Sequence, residues 1–231
     1  KHTNRLLHVK GRRNVSVTQV ELKASSLNEG DCFILDMGST IYQWNGKEAS
    51  KLEKMKAMDT TRGIRDQERQ GKAKVIIVEQ DSSAKEVQSA FWKDFDPKNG
   101  KPSRINKATD DQAHEAMKTA SVKLYEVSDS SGKVVMKDVT ETPIKKEHLK
   151  TDDAFILHTG QGGIFAWVGK KATKAEKNAA MLNATQFITD HKLPQWTPVC
   201  RVIEGGETPL FKQNFAEWPE PMSAPGSNPA G

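Results

Sequence analysis

Cysteine is almost missing from this chain. Cys32 and Cys200 are the only two among 231 residues, and they lie in different halves. A disulfide framework is therefore not what organises it; two dispersed thiols fit a reducing compartment, or small apolar side chains in a core. Long apolar runs are also lacking. None approaches the roughly 20 residues needed to cross a bilayer, so no transmembrane segment is expected. The start, Lys1-His2-Thr3-Asn4, has no apolar signal region behind it and no Met, and we expect a piece cut from a longer chain. Catalytic groupings are absent as well. His2, His8, His114, His148, His158 and His191 show neither an HExxH pattern nor i,i+4 pairing. There is no phosphate-binding loop, nucleotide-binding glycine fingerprint or nucleophile elbow, so the chain is not expected to be an enzyme.

The net charge is +5, and it is local. Residues 1–13 hold Lys1, Arg5, Lys10, Arg12 and Arg13 with no acid, and the rest of the chain balances to zero. A nucleic-acid binder carries a basic face across its domain. Here the excess sits on one short segment, which argues against nucleic acid as the partner.

The dominant feature is an internal repeat. Asn28-Glu29-Gly30-Asp31-Cys32-Phe33-Ile34-Leu35-Asp36 recurs as Lys150-Thr151-Asp152-Asp153-Ala154-Phe155-Ile156-Leu157-His158. A glycine-containing turn follows each, then a strand ending in Trp with a Gly soon after: Ile41-Tyr42-Gln43-Trp44-Asn45-Gly46 and Ile164-Phe165-Ala166-Trp167-Val168-Gly169. Charged helical stretches come next, over residues 47–64 and 170–188. Each unit closes on a strand, Val75-Ile76-Ile77-Val78 and Val199-Cys200-Arg201-Val202-Ile203.

The runs Phe33-Ile34-Leu35 and Phe155-Ile156-Leu157 read as central strands covered on both faces. The glycine turns favour hairpins. On the helices, Leu52, Met55 and Met58, and then Ala175, Ala179, Leu182 and Ile188, read as the apolar stripes that cover the sheet. The fold class expected is α+β, in two units of roughly 100 residues each. We divide the chain into residues 1–95, a linker over 96–120, a second unit over 121–218 and a flexible tail over 219–231. Pro97, Asn99, Gly100 and Pro102 mark the linker, residues 84–95 a short helix before it, and Asp110-Asp111-Gln112 the cap of another after it.

These motifs resemble the gelsolin/villin/severin family. Gly30-Asp31-Cys32-Phe33-Ile34-Leu35-Asp36, Gln43-Trp44 and Gly63-Ile64-Arg65-Asp66-Gln67-Glu68-Arg69 are similar to its second domain. Asp153-Ala154-Phe155-Ile156-Leu157 and Gly205-Gly206-Glu207-Thr208-Pro209-Leu210-Phe211-Lys212 are similar to its third. The resemblance implies a mixed sheet of about five strands between a long and a short helix, twice over.

Asp31 opens a buried strand and Glu53 lies on the helix behind it; Asp153 and Glu176 occupy the equivalent places. Single acids near strand ends are ordinarily solvated, but both acids recur in both units, and a hard cation needs several oxygens, some of them charged. The resemblance implies calcium as the cofactor, held by Asp31 and Glu53 with the Gly30 carbonyl, and by Asp153 and Glu176 with the Asp152 carbonyl. It places a linker acid on the first site: Asp110, with the neighbouring Asp111 as the other candidate. Extracellular members join the Cys matching Cys32 to a second Cys; Asn45 stands there, which favours a cytoplasmic, cytoskeletal location.

Arg5-Leu6-Leu7-His8-Val9-Lys10-Gly11-Arg12-Arg13 reads alone as an amphipathic strand, either a solvated edge guarded by basic charge or a contact for acidic protein or anionic lipid. The resemblance implies filament-side actin binding through Arg12, Arg13 and Lys54. It implies phosphoinositide binding through Arg5, Lys10, Arg12 and Arg13. The expected function is calcium-regulated binding to the side of actin filaments, within a parent that severs and caps them. The alternative is a phosphoinositide-binding module without calcium-gated actin binding.

Overall fold

A computed structural model describes residues 3–109 and 122–219. The first sheet holds β1 (Arg5–Lys10), β2 (Ser16–Val20), β3 (Cys32–Asp36), β4 (Thr40–Asn45) and β5 (Lys74–Glu79), in the spatial order β2-β1-β3-β4-β5. The second holds β6 (Lys123–Ser128), β7 (Val135–Val139), β8 (Ala154–His158), β9 (Ile164–Val168) and β10 (Val199–Ile203), in the order β10-β9-β8-β6-β7. β4 and β5 run parallel, as do β9 and β10; every other pair is antiparallel. The expected mixed five-strand sheet is therefore present twice, in an α+β fold.

Helices α1 (Lys51–Gly63) and α2 (Lys85–Phe95) cover opposite faces of the first sheet; α3 (Lys174–Asp190) and the short α4 (Pro209–Lys212) cover the second. The long helices begin four residues later than the sequence suggests. Ser50 and Thr173 cap them, each accepting from a backbone N–H three residues on, while Glu53 and Glu176 reach back to the cap. The residues before each cap form a tight turn through Gly46 and Gly169, where a side chain would collide with the carbonyls of Glu29 and Thr151.

β3 and β8 are buried along their whole length, with apolar residues packed on both faces. Two expectations fail. The apolar stripe of α1 does not cover the sheet: Leu52 is 51% and Met55 62% exposed, and Met58 is half-buried. The buried face is Glu53, Ala57, Thr60 and Thr61. In α3 it is Glu176, Ala180, Ala184 and Phe187, while Ala175 is exposed, Leu182 is 71% exposed, and only Ala179 and Ile188 of the expected stripe lie against the core. In α1 the face is set by the inward-turned Glu53 and by small side chains that let the helix approach the strands; in α3 Phe187 joins Glu176 and two alanines. Second, the basic strand is not a solvated edge. β1 runs between β2 and β3, and its Leu6, Leu7 and Val9 belong to the two cores of the sheet.

The linker is anchored over its described part. Ile105 is buried in the first core, the Asn106 carbonyl accepts from the Glu29 N–H at 2.8 Å, and its side-chain amide donates to the Ser25 carbonyl at 2.8 Å. The two sheets meet at a seam. Leu210 packs against a core of each, and the Gln213 amide bonds the Val17 backbone at both its N–H and its C=O. The expected cap at Asp110-Asp111-Gln112 and residues 220–231 of the expected tail lie outside the described residues.

Candidate functional site

In the first repeat the turn before β3 and the first turn of α1 bring two carboxylates into the interior. Asp31 and Glu53 are each 1% exposed. Asp31 is crowded by positive and donor groups. His8 Nε2 lies 2.6 Å from Oδ2, the Asn28 amide donates to Oδ2 at 2.7 Å, and the Lys10 ammonium reaches Oδ1 at 3.3 Å. The same ammonium donates to the Thr109 carbonyl at 2.9 Å. Burial alone would raise the Asp31 carboxyl; the hydrogen bond and charge of His8, with Asn28 and Lys10, outweigh it and hold the group below its ordinary value. Glu53 goes the other way. Burial pushes it up, against hydrogen bonds from Ser50 and Gly11. Its Oε1 accepts from the Gly11 N–H at 3.1 Å and its Oε2 from the Ser50 N–H at 2.9 Å.

The second repeat reproduces half of this. Glu176 is buried and accepts from the Asp129 N–H and the Thr173 N–H, each at 2.8 Å. The counter-charges are not reproduced. Strand register matches Leu6 with Leu124 and Val9 with Val127, so Glu126 and Ser128 stand where His8 and Lys10 do. Lys150, which feels the Asp153 charge, pairs with Glu126 at 2.6 Å. Asp153 is half-buried and Asp152 exposed, with Lys171 3.9 Å from it.

Among the described residues no three His, Cys, Asp or Glu side chains converge as a metal centre. Asp31 and Glu53 supply two inward-turned carboxylates, and a hard cation such as calcium takes carboxylates together with carbonyls. Gly30 belongs to the Asp31 turn. Its N–H donates to Asn28 Oδ1 at 2.9 Å, and a side chain there would run into Ala108 of the linker. Asp110 and Asp111 lie outside the described residues.

Arg12 and Arg13 are exposed on the turn between β1 and β2. Arg5 and Lys10 are turned elsewhere. Arg5 bonds Asp36 at 3.0 Å and Glu68 at 2.6 Å, and Asp36 is also held by Arg69 at 2.6 Å. Lys54 pairs with Glu79 at 3.0 Å while keeping a third of its side chain in solvent. Sequence reasoning missed the inward turn of Lys10 and His8. Strand alternation held the signal: with Val9 on the α1 side, both fall with Asp31 on the other. Leu52 and Met55, three residues apart, form an exposed apolar pair on the outer surface of α1.

The gelsolin-repeat family model matches residues 13–87 and 135–212. The actin depolymerising venom protein gelsolin 1 of Platymeris rhadamanthus is 41% identical over 215 residues, covering 93% of this chain and 56% of that protein. Gelsolin of Drosophila melanogaster is 44% identical, covering 93% of this chain and 27% of that one. Advillin of Mus musculus is 40% identical, covering 93% and 26%. The chain thus spans about half the length of the first and about a quarter of the other two.

Proposed function

Because the chain belongs to the gelsolin-repeat family, we propose that it is a two-repeat unit that binds the side of actin filaments under the control of calcium. The contact is the turn carrying Arg12 and Arg13 together with Lys54 and the outward face of α1. The observation that carries the reading is the link between buried acids and basic turn. Asp31 is tied to Lys10 and Glu53 to Gly11, and these are the two residues that lead into Arg12 and Arg13.

Asp31, Glu53 and the Gly30 carbonyl would hold one ion, with Asp110 from the linker. Asp153, Glu176 and the Asp152 carbonyl would hold the other. The ion supplies positive charge to both carboxylates at once. Lys10 would lose its hold on Asp31 were a divalent cation to take that carboxylate, and the Gly11 N–H would compete with the cation for Glu53. Both anchors of the turn therefore respond to the same event. In the intact parent we place this unit within a severing and capping protein of the cytoskeleton, with no catalytic role.

The deciding experiment is co-sedimentation with filamentous actin, in calcium and in chelator. Pelleting in calcium alone is the expected result. Pelleting in both leaves actin and removes the switch; pelleting in neither removes the reading. Exposure of Arg12 and Arg13 favours a second ligand at the same turn, an anionic lipid such as a phosphoinositide. Vesicles containing that lipid should then displace the filament.

A further inference from the structure

The second repeat reaches into the first at one backbone residue. Val17 pairs with Val9 in the antiparallel ladder, and its N–H and C=O both point away from β1 toward the open edge of β2. An edge of this kind offers unpaired groups to any strand that approaches. Here one side chain takes both. Gln213 Oε1 accepts from the Val17 N–H at 2.8 Å, and Gln213 Nε2 donates to the Val17 carbonyl. The amide stands in for a neighbouring strand.

Gln213 is itself fixed. Its Nε2 also reaches the Leu210 carbonyl at 3.2 Å, Asn214 donates to the same carbonyl at 2.9 Å, and Leu210 packs against a core of each repeat. Two glycines lie at close approaches near the fork. A methyl on Gly162 would lie 3.2 Å from Thr18 Cγ2, the residue after Val17; one on Gly63 would lie 3.3 Å from Pro209 Cγ. On the other strand of the hairpin, Lys10 is held by the Thr109 carbonyl of the linker. The basic turn thus hangs between two anchor points, and each is gripped by chain from beyond the first sheet.

We propose that Gln213 is a positioning residue: by gripping Val17 it lets the second repeat set the placement of the Arg12–Arg13 turn. This rests on the reading of that turn as the contact surface, although the grip itself does not. The fork is uncharged, so it holds at salt concentrations that weaken contacts made by the arginines.

The test is Gln213→Met, which keeps the side-chain length and removes both bonds, in the full 231-residue chain. Amide hydrogen exchange is followed at Val17, at residues 12–15 of the turn, and at β3 and β8 as controls for the two folds. The expected result is exchange about tenfold faster at Val17 and through the turn, with β3 and β8 unchanged. Faster exchange at Val17 alone, or at none of these amides, overturns the proposal. So does faster exchange everywhere, which would make Gln213 a general stability residue. Filament affinity is measured alongside. A loss of about threefold to tenfold in the variant agrees with the positioning role, and an unchanged affinity with a loosened turn contradicts it. A wild-type chain that does not pellet with filaments sinks the actin reading, while the exchange rates still decide whether Gln213 holds the turn.

Discussion

Lys10 and Asp31 form an ion pair shut away from solvent, their side chains 3% and 2% exposed. Removing one partner of such a pair leaves a buried charge, which is expensive. Lys10→Met keeps the apolar stem and deletes the ammonium. In chelator we expect it to lose about 3 kcal/mol of unfolding free energy, read by urea titration. Calcium affinity at the first site should rise about tenfold, because no ammonium has to be displaced. An unchanged affinity in a calorimetric titration would show that Lys10 does not compete for the carboxylate.

The two aspartates should respond differently. Asp31→Asn discards the attraction of Lys10 and His8 and should destabilise the chain in chelator by about 2 kcal/mol. Asp153→Asn, at a half-buried place where the Lys150 charge is felt but the nearest partner of Lys150 is Glu126, should stay within about 0.5 kcal/mol of wild type. Equal losses in the two variants would refute the asymmetry.

Acid unfolding carries the same signature. The folded Asp31 carboxyl is held below its ordinary value of 3.8, so its contribution is complete above that value and disappears as pH falls through the lower one. Glu53 is raised above 4.5 and has the opposite sign: its share is present at low pH and fades as pH rises through the raised value. Urea midpoints from about pH 6 to 3 should therefore fall less steeply in Asp31→Asn than in wild type. Parallel slopes would assign the acid limb to other carboxylates.

Leu52 and Met55 are mostly exposed and belong to neither core of the first sheet. Changing both to Ala should move the melting temperature little, since exposed positions usually shift stability by about 0.5 kcal/mol or less. We expect filament affinity to drop by about tenfold, as when Arg12 and Arg13 are replaced by Ala. Full retention of affinity would take the α1 face out of the contact.

Cys32 faces Asn45 directly across the β3–β4 ladder. The neighbouring pair carries the ladder bond, Gly46 N–H to the Asp31 carbonyl at 3.0 Å, so 32/45 is the non-hydrogen-bonded kind, with side chains closer together. Asn45→Cys should close a bridge under oxidising conditions and add about 3 kcal/mol, at the expense of the Asn45–Glu79 bond. Free-thiol titration after oxidation reads the outcome.

The repeat, the continuous apolar strands and the inward-turned Glu53 and Glu176 were legible because each is a local pattern that occurs twice. The helix faces were not. Leu52 and Met55 carry more apolar surface than Ala57, but a helix lying close over strands needs small residues beneath it, and depth is invisible in a linear pattern. Lys10 misled for a related reason: a basic residue on a basic segment reads as solvated until the strand is known to be interior. The Gln213 fork had no signal at all, because its partner is a backbone 196 positions away.

The placement of β1 also bears on how the molecule carries a load. A turn attached to a moving filament pulls along the axis of its strand. Lying between β2 and β3, β1 meets that pull with the whole β1–β3 ladder loaded in shear at once. The basic turn is thus mounted where tension is shared across the sheet, and we expect force applied there to be borne by many hydrogen bonds at once.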